Sequence, residues 1–123
     1  MTKRSLKWIV VPFLLLIVVS QHSCRHDSII PNSPIISFQG QVLPIIRNNC
    51  ASSGCHDGYG RPKPLVFYSD IIGYVTPNDA HKSDVYKRIT QLKGESKMPI
   101  SGNLSESQII VIYTWIMQGA QNN

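Results

Sequence analysis

The strongest constraint on the fold is a helix near the C-terminus with a clear beginning and a clear end. Ser105 can cap this helix, and Gln108, three residues later, completes a capping box. Gly119 is placed to end the helix in the left-handed region. Apolar side chains recur between these ends with the spacing of one helical face: Ile109, Ile112, Tyr113 and Ile116. Because no stretch of the chain alternates convincingly with the period of two that is typical of strands, we predict an all-α fold.

Three shorter helical segments precede this helix. Apolar residues with helical spacing lead toward Cys50, and because Pro44 is tolerated only near a helix start, this helix is expected to begin around Gln41. Residues 69–72 predict a helical turn, and Ser83 is placed to cap a short helix with Val85 and Ile89 on one side. The loops between the helices are long, and such loops need something to pack on.

Residues 1–23 predict a lipoprotein-type signal peptide. A positively charged segment precedes an apolar run of about 11–12 residues, which suits a signal sequence and falls short of a bilayer span. Cys24 directly follows the small residue Ser23, as at the cleavage site of bacterial lipoproteins, where the cysteine becomes lipidated. An ordinary secretory signal or an uncleaved anchor are the alternatives. In each case we expect an exported protein of the cell envelope or periplasm, membrane-anchored if Cys24 carries a lipid.

A tether over residues 24–36 and one domain over residues 37–121 are expected to follow. Pro31 and Pro34 favour extended backbone in the tether. The formal net charge of the whole chain is +5, but three of its twelve Lys and Arg residues belong to the signal peptide. The mature domain is therefore close to neutral, which argues against nucleic-acid binding.

The cysteines point to one site. With Cys24 assigned to a lipid, Cys50 and Cys55 remain, and with His56 they form a C-x4-C-H sequence. Two thiols followed directly by a histidine are the groups that attach haem in c-type cytochromes, where the familiar spacing is two residues shorter. The alternatives are a small-loop disulfide between the cysteines and a zinc site that would need His81 as its fourth ligand.

A methionine downstream supplies the second ligand that a cytochrome needs. Met98 lies in a polar loop without a helical face to bury it, and Pro99 restrains it toward extended geometry. Met117 lies on the C-terminal helix, where core packing explains it. His81 is the rival candidate for the second axial position.

These segments together resemble a known family. Residues 42–58 resemble the haem-binding start of a class I cytochrome c, closest to the single-haem domains of the Planctomycetes and Bacteroidetes type. Lys97-Met98-Pro99, Leu104-Ser105 and residues 113–120 resemble the other end of that domain, and residues 83–89 resemble its middle helix. The resemblance covers roughly residues 38–121.

The resemblance implies a small cytochrome c-like fold of three or more short helices around one covalent haem c. Cys50 and Cys55 would hold the haem, with His56 as proximal and Met98 as distal iron ligand. A carbonyl of Pro62 or Pro64 would accept a hydrogen bond from the second ring nitrogen of His56.

Six-coordinate iron favours outer-sphere electron transfer to an unidentified redox partner protein, so we expect an electron carrier and not an enzyme. Catalysis at an open haem would require displacement of Met98. The competing hypothesis is a non-redox binding or structural lipoprotein with a Cys50–Cys55 disulfide. A basic bias in the second half is either a docking surface for an acidic partner or an ordinary solvated face: Lys82, Lys87, Arg88, Lys93 and Lys97.

Overall fold

The structure, a computed structural model, describes residues 34–59 and 62–123. Four α-helices follow one another: α1 (Leu43–Asn49), α2 (Tyr68–Ile72), α3 (Asp84–Thr90) and α4 (Glu106–Met117). A π-helical turn (Phe38–Val42) leads directly into α1, and short 3₁₀ turns (Ala80–Lys82 and Leu92–Gly94) lie on either side of α3. The described residues form helices and loops without a β-strand, which confirms the helical class predicted from the sequence.

The predicted signal peptide, the lipidation site at Cys24 and most of the tether lie outside the described residues. Within the part of the chain that is described, none of the helices has the length and apolar character needed to cross a membrane.

The C-terminal helix has the predicted ends. The Ser105 hydroxyl accepts the Gln108 N–H at 3.3 Å, and the Gln108 side chain accepts the Ser105 N–H at 2.9 Å, so the capping box is confirmed. After Met117, Gly119 takes a φ of +96°, which confirms its place in the left-handed region. Ile112, Trp115 and Ile116 are the buried residues of α4.

The N-terminal helical segment begins earlier than predicted. The sequence placed its start around Gln41, whereas the chain is helical from Phe38, with the Ser37 hydroxyl accepting the Gly40 N–H at 3.1 Å. The first turn is π-helical, and Leu43 donates to the Phe38 carbonyl. Pro44 then lies in the first turn of α1, where its missing N–H costs little. The predicted start was wrong because Pro44 limits only where the α-helix can begin. It does not limit the π-helical turn that precedes the α-helix.

The core lies between the N-terminal segment and α4. Phe38 packs against Trp115 with ring centroids 5.3 Å apart and meets Tyr68 edge-on at 5.1 Å. Trp115 also donates its indole N–H to the Gln121 carbonyl at 2.9 Å. The buried apolar residues are Phe38, Val42, Leu43, Ile46, Ile71, Ala80, Leu104, Ile112, Trp115, Ile116 and Ala120. None of the predicted haem-site residues belongs to this set, so the candidate site lies beside the core.

Ser83 has a different role from the one that the sequence suggested. It occupies the N-cap position of α3, but its side chain makes no capping hydrogen bond. Its hydroxyl instead accepts the Thr76 N–H at 2.9 Å and lies 2.9 Å from the Asp79 carbonyl, and the residue is 1% exposed. Ser83 therefore ties the start of α3 to the preceding loop.

Candidate functional site

The C-x4-C-H loop is a compact, hydrogen-bonded turn at the end of α1. Cys50 closes α1, and its N–H donates to the Ile46 carbonyl at 2.8 Å. The Cys55 N–H donates to the Ser52 carbonyl at 2.9 Å, and the His56 N–H returns to the Cys50 carbonyl at 3.0 Å. The four intervening residues therefore bulge outward while the backbones of Cys50 and His56 stay joined.

Both cysteines in this loop are free thiols. Cys50 is half-buried and Cys55 is exposed. Burial, with a smaller contribution from the neighbouring Cys55, raises the pKa of the Cys50 thiol to about 11. Cys50 is therefore protonated at neutral pH, and protonated thiols are far less open to oxidation than thiolates.

The His56 side chain is fixed by its surroundings. Its ring nitrogen Nδ1 lies 2.6 Å from the Lys63 carbonyl oxygen, and its own carbonyl accepts the Leu65 N–H at 3.0 Å. Because a carbonyl can only accept, Nδ1 must carry a proton, and in the neutral ring the lone pair is then on Nε2. Among the described residues Nε2 forms no hydrogen bond. The half-buried imidazole is thus held in the tautomer that suits metal ligation through Nε2.

The acceptor for His56 is not the one expected. We expected a carbonyl of Pro62 or Pro64 to be the acceptor, whereas in the structure the acceptor is the carbonyl of Lys63, which lies between them. Pro64 restricts the residue before it to extended backbone, which stiffens the segment that carries this carbonyl. Every residue has a carbonyl, so residue type alone could not select the acceptor.

Asp57 is a contributor to the site that the sequence analysis missed. One carboxylate oxygen accepts the Gly54 N–H at 3.0 Å, and the other accepts the Tyr59 N–H at 3.0 Å. These backbone donors, Tyr59 foremost, hold the pKa of Asp57 below its ordinary value of 3.8. The available signal was the Asp57-Gly58 pair, which is typical of a turn directly after the histidine.

Met98 is half-buried in the loop after α3. Its N–H donates to the Arg88 carbonyl at 3.1 Å, which attaches the loop to α3, and its peptide bond to Pro99 is cis. The Arg88 side chain reaches the same loop through Glu95 at 3.4 Å and the Ser96 carbonyl at 3.4 Å. The loop position of Met98 agrees with the prediction, and Met117 packs against the core as expected.

His81, the rival axial ligand, lies in the 3₁₀ turn before α3. Its exposed ring meets the Tyr86 ring edge-on, with centroids 5.6 Å apart. In residues 34–59 and 62–123, no three or more His, Cys, Asp or Glu side chains come together as a metal-binding group. The four residues considered for zinc, Cys50, Cys55, His56 and His81, therefore do not form a closed zinc site in this structure.

Neighbouring acids offset much of the basic bias around α3. Lys82 pairs with Asp79 at 3.0 Å, and Lys87 pairs with Asp84 at 2.6 Å. Arg88 pairs with Glu95. Surface pairs of this kind contribute little to stability. Each of them nevertheless places a negative charge beside one of the basic residues that form this bias. Docking of an acidic partner at this surface stays a prediction, and the net positive charge that would attract such a partner is smaller than the basic residues alone indicate.

Comparisons with known proteins assign no family to the chain. No protein-family model matches it, and neither a curated protein nor a solved structure matches it significantly. The functional conclusion therefore rests on the donor set: two free thiols in one loop, an imidazole whose Nε2 has no hydrogen-bond partner among residues 34–59 and 62–123, and a half-buried thioether on a separate loop.

Proposed function

We propose that this chain is an exported, lipid-anchored c-type cytochrome that carries single electrons through one haem c. Cys50 and Cys55 attach the haem, and His56 and Met98 are its axial iron ligands. The observation that carries the proposal is the arrangement around His56. Its imidazole follows two free thiols in one hydrogen-bonded loop, and the Lys63 carbonyl selects the tautomer that leaves Nε2 available.

Apolar side chains on and after α3 support the same interpretation. No residue of α3 is fully buried, although Val85 and Ile89 give the helix an apolar side that is half-exposed. Leu92 and Met98, which follow α3, are also half-buried. Val85 and Ile89 pack in part against the core, and a large, flat apolar group could cover the apolar surface that they leave exposed. A haem is such a group, and it also gives the long loops something to pack on.

The donor chemistry fits a haem as well. When bound, haem supplies one-electron transfer between ferric and ferrous iron. The Lys63 carbonyl orients the His56 ring and increases the basicity of Nε2. As an iron ligand, the Met98 thioether would favour the ferrous state and so raise the reduction potential. If His56 and Met98 both ligated the iron, no open position would remain for a small molecule, which would suit a carrier and not a catalyst.

The residues of the chain provide anchoring and orientation. The bond from the His56 N–H to the Cys50 carbonyl joins the backbone at the two ends of the loop that carries the attachment points. Met98 lies on a separate loop, which its N–H attaches to α3 through the Arg88 carbonyl. The two ligands thus come from separate parts of the chain.

Paired methionine variants test the ligand assignment. The full chain, its Met98→Ala variant and its Met117→Ala variant would be produced with a c-type maturation system. Ferric absorption spectra and reduction potentials would then be recorded for each. Met98→Ala is expected to lose the spectral signature of sulfur ligation and to show a lower potential, whereas Met117→Ala keeps both because Met117 packs against the core. An unchanged spectrum and potential in Met98→Ala would refute the assignment.

A further inference from the structure

We propose that Asp57 is a positioning residue that holds the widened C-x4-C-H loop in the geometry required for attachment at both cysteines. This inference rests on the proposed function. The aspartate touches neither a cysteine thiol nor the His56 ring through any hydrogen bond of the structure; it acts on the backbone on either side of them.

The geometry is that of a two-sided clamp. Gly54 lies directly before Cys55, and Tyr59 lies beyond His56, and each donates its N–H to a different oxygen of the Asp57 carboxylate at 3.0 Å. Cys55 and His56 therefore lie inside a ring that the bond from Gly54 to Asp57 closes. No other side chain forms hydrogen bonds to the described backbone of residues 51–59.

Apart from backbone hydrogen bonds, such as those from Cys55 to Ser52 and from His56 to Cys50, the loop has little else to order it. Ser52, Ser53 and Gly54 are exposed, and a Cβ placed on Gly54 would meet no atom within 4 Å. Gly54 also adopts a φ of +78°, which a glycine reaches without strain. Two residues more than the familiar spacing add conformational freedom between the cysteines. Hydrogen bonds, and not packing, must therefore limit where the Cys55 thiol can go.

Cys50 does not share this dependence. It closes α1 with its N–H bonded to the Ile46 carbonyl, so the helix positions it without help from Asp57. Loss of the clamp should therefore loosen Cys55, which would keep only its N–H bond to the Ser52 carbonyl, and leave Cys50 in place. The expected consequence is haem attached through one thioether instead of two.

Asp70, in α2, offers a matched control outside the C-x4-C-H loop. Its carboxylate also accepts two backbone N–H groups, from Phe67 at 2.8 Å and from Val66 at 3.2 Å. Asp70→Ala therefore removes as many backbone hydrogen bonds as Asp57→Ala, but it removes them at the start of α2 and not in the haem-attachment loop.

The experiment compares wild type, Asp57→Ala, Asp57→Asn and Asp70→Ala as full chains made with a c-type maturation system. Intact masses and pyridine haemochrome spectra of the denatured proteins give the ratio of doubly to singly attached haem. Asp57→Ala is expected to lower this ratio by about threefold or more, because both charge-assisted bonds are lost. The ratio for Asp57→Asn, which keeps one carbonyl oxygen as an acceptor, should lie between those of wild type and Asp57→Ala. Asp70→Ala should keep the wild-type ratio.

Each other result overturns the proposal. A wild-type ratio in Asp57→Ala, or an equal fall in Asp70→Ala, would show that the clamp has no specific role in attachment, while the proposed function would stand. If Asp57→Ala does not accumulate, the ratio in Asp57→Asn decides, and a wild-type value there overturns the proposal. Absence of covalent haem from the wild-type chain itself is a failure of the proposed function, and it is visible without any variant.

Discussion

Ser83 allows a sharp test of how the start of α3 is held. Its hydroxyl accepts the Thr76 N–H and donates toward the Asp79 carbonyl, and the residue is 1% exposed. Ser83→Ala would leave both groups without this partner, and an unsatisfied buried group costs about 1–3 kcal/mol. Water can reach part of the loop because Thr76 is exposed, so we expect a loss of about 2 kcal/mol in the free energy of unfolding. For a domain of this size that corresponds to a Tm lowered by roughly 10 °C.

A comparison of Asn substitutions separates this role from helix capping. Asn is as good as Ser at a helix N-cap, so Ser105→Asn, at a true and exposed cap, should stay within about 0.5 kcal/mol of wild type. Ser83→Asn should lose at least as much stability as Ser83→Ala, because the larger side chain has no room at a buried position. Urea unfolding followed by circular dichroism and tryptophan fluorescence gives these values. A wild-type midpoint for Ser83→Asn would refute the reasoning and restore Ser83 to a simple capping role.

Two further predictions concern backbone conformation and charge. Gly73 and Gly102 both have open space where a Cβ would be added, but only Gly102 has a positive φ, of +84°. Gly73→Ala should therefore raise the free energy of unfolding by about 0.5 kcal/mol, because it reduces the freedom of the unfolded chain. Gly102→Ala should lower the free energy of unfolding by about 1 kcal/mol, because alanine is strained at a positive φ. Equal effects at the two positions, measured by urea unfolding, would contradict this. The side chain and the backbone N–H of Lys82 both bind the Asp79 carboxylate and hold its pKa below 3.8. The ionised carboxylate therefore stabilises the fold above the unfolded-state pKa, and this stabilisation is lost as the pH falls through the lower folded-state pKa. Between about pH 5 and pH 2, Asp79→Asn should therefore lose less stability than wild type, and identical pH profiles would argue against the pair.

The helices were predictable where the local signals were complete. The C-terminal helix carries a capping box, a regular apolar face and a terminating glycine, and all of these signals act over a few residues. The helical turn at residues 69–72 was predicted nearly to its ends, since α2 covers Tyr68–Ile72. Local propensity and burial agree at both places, which is why the sequence alone was sufficient.

The remaining differences come from interactions that residue type does not specify. Any residue near position 63 could have offered its carbonyl to His56, so the choice of Lys63 over its flanking prolines depends on loop geometry. Ser83 has the side chain of an N-cap, but the preceding loop provides competing partners that only the folded chain brings close. Asp57 follows the histidine directly, and its two-sided bonding depends on the turn that Gly54 and Tyr59 complete.

Covalent attachment of haem to Cys50 and Cys55 is tested most directly by a haem assay on denatured protein. The full chain would be expressed with its own signal and a c-type maturation system, stripped of non-covalent cofactor, and examined by pyridine haemochrome spectroscopy and intact mass. We expect one haem to be retained per chain through Cys50 and Cys55. Complete loss of haem, with a mass that shows these two cysteines joined as a disulfide, would contradict it and indicate a disulfide-linked lipoprotein without a redox role.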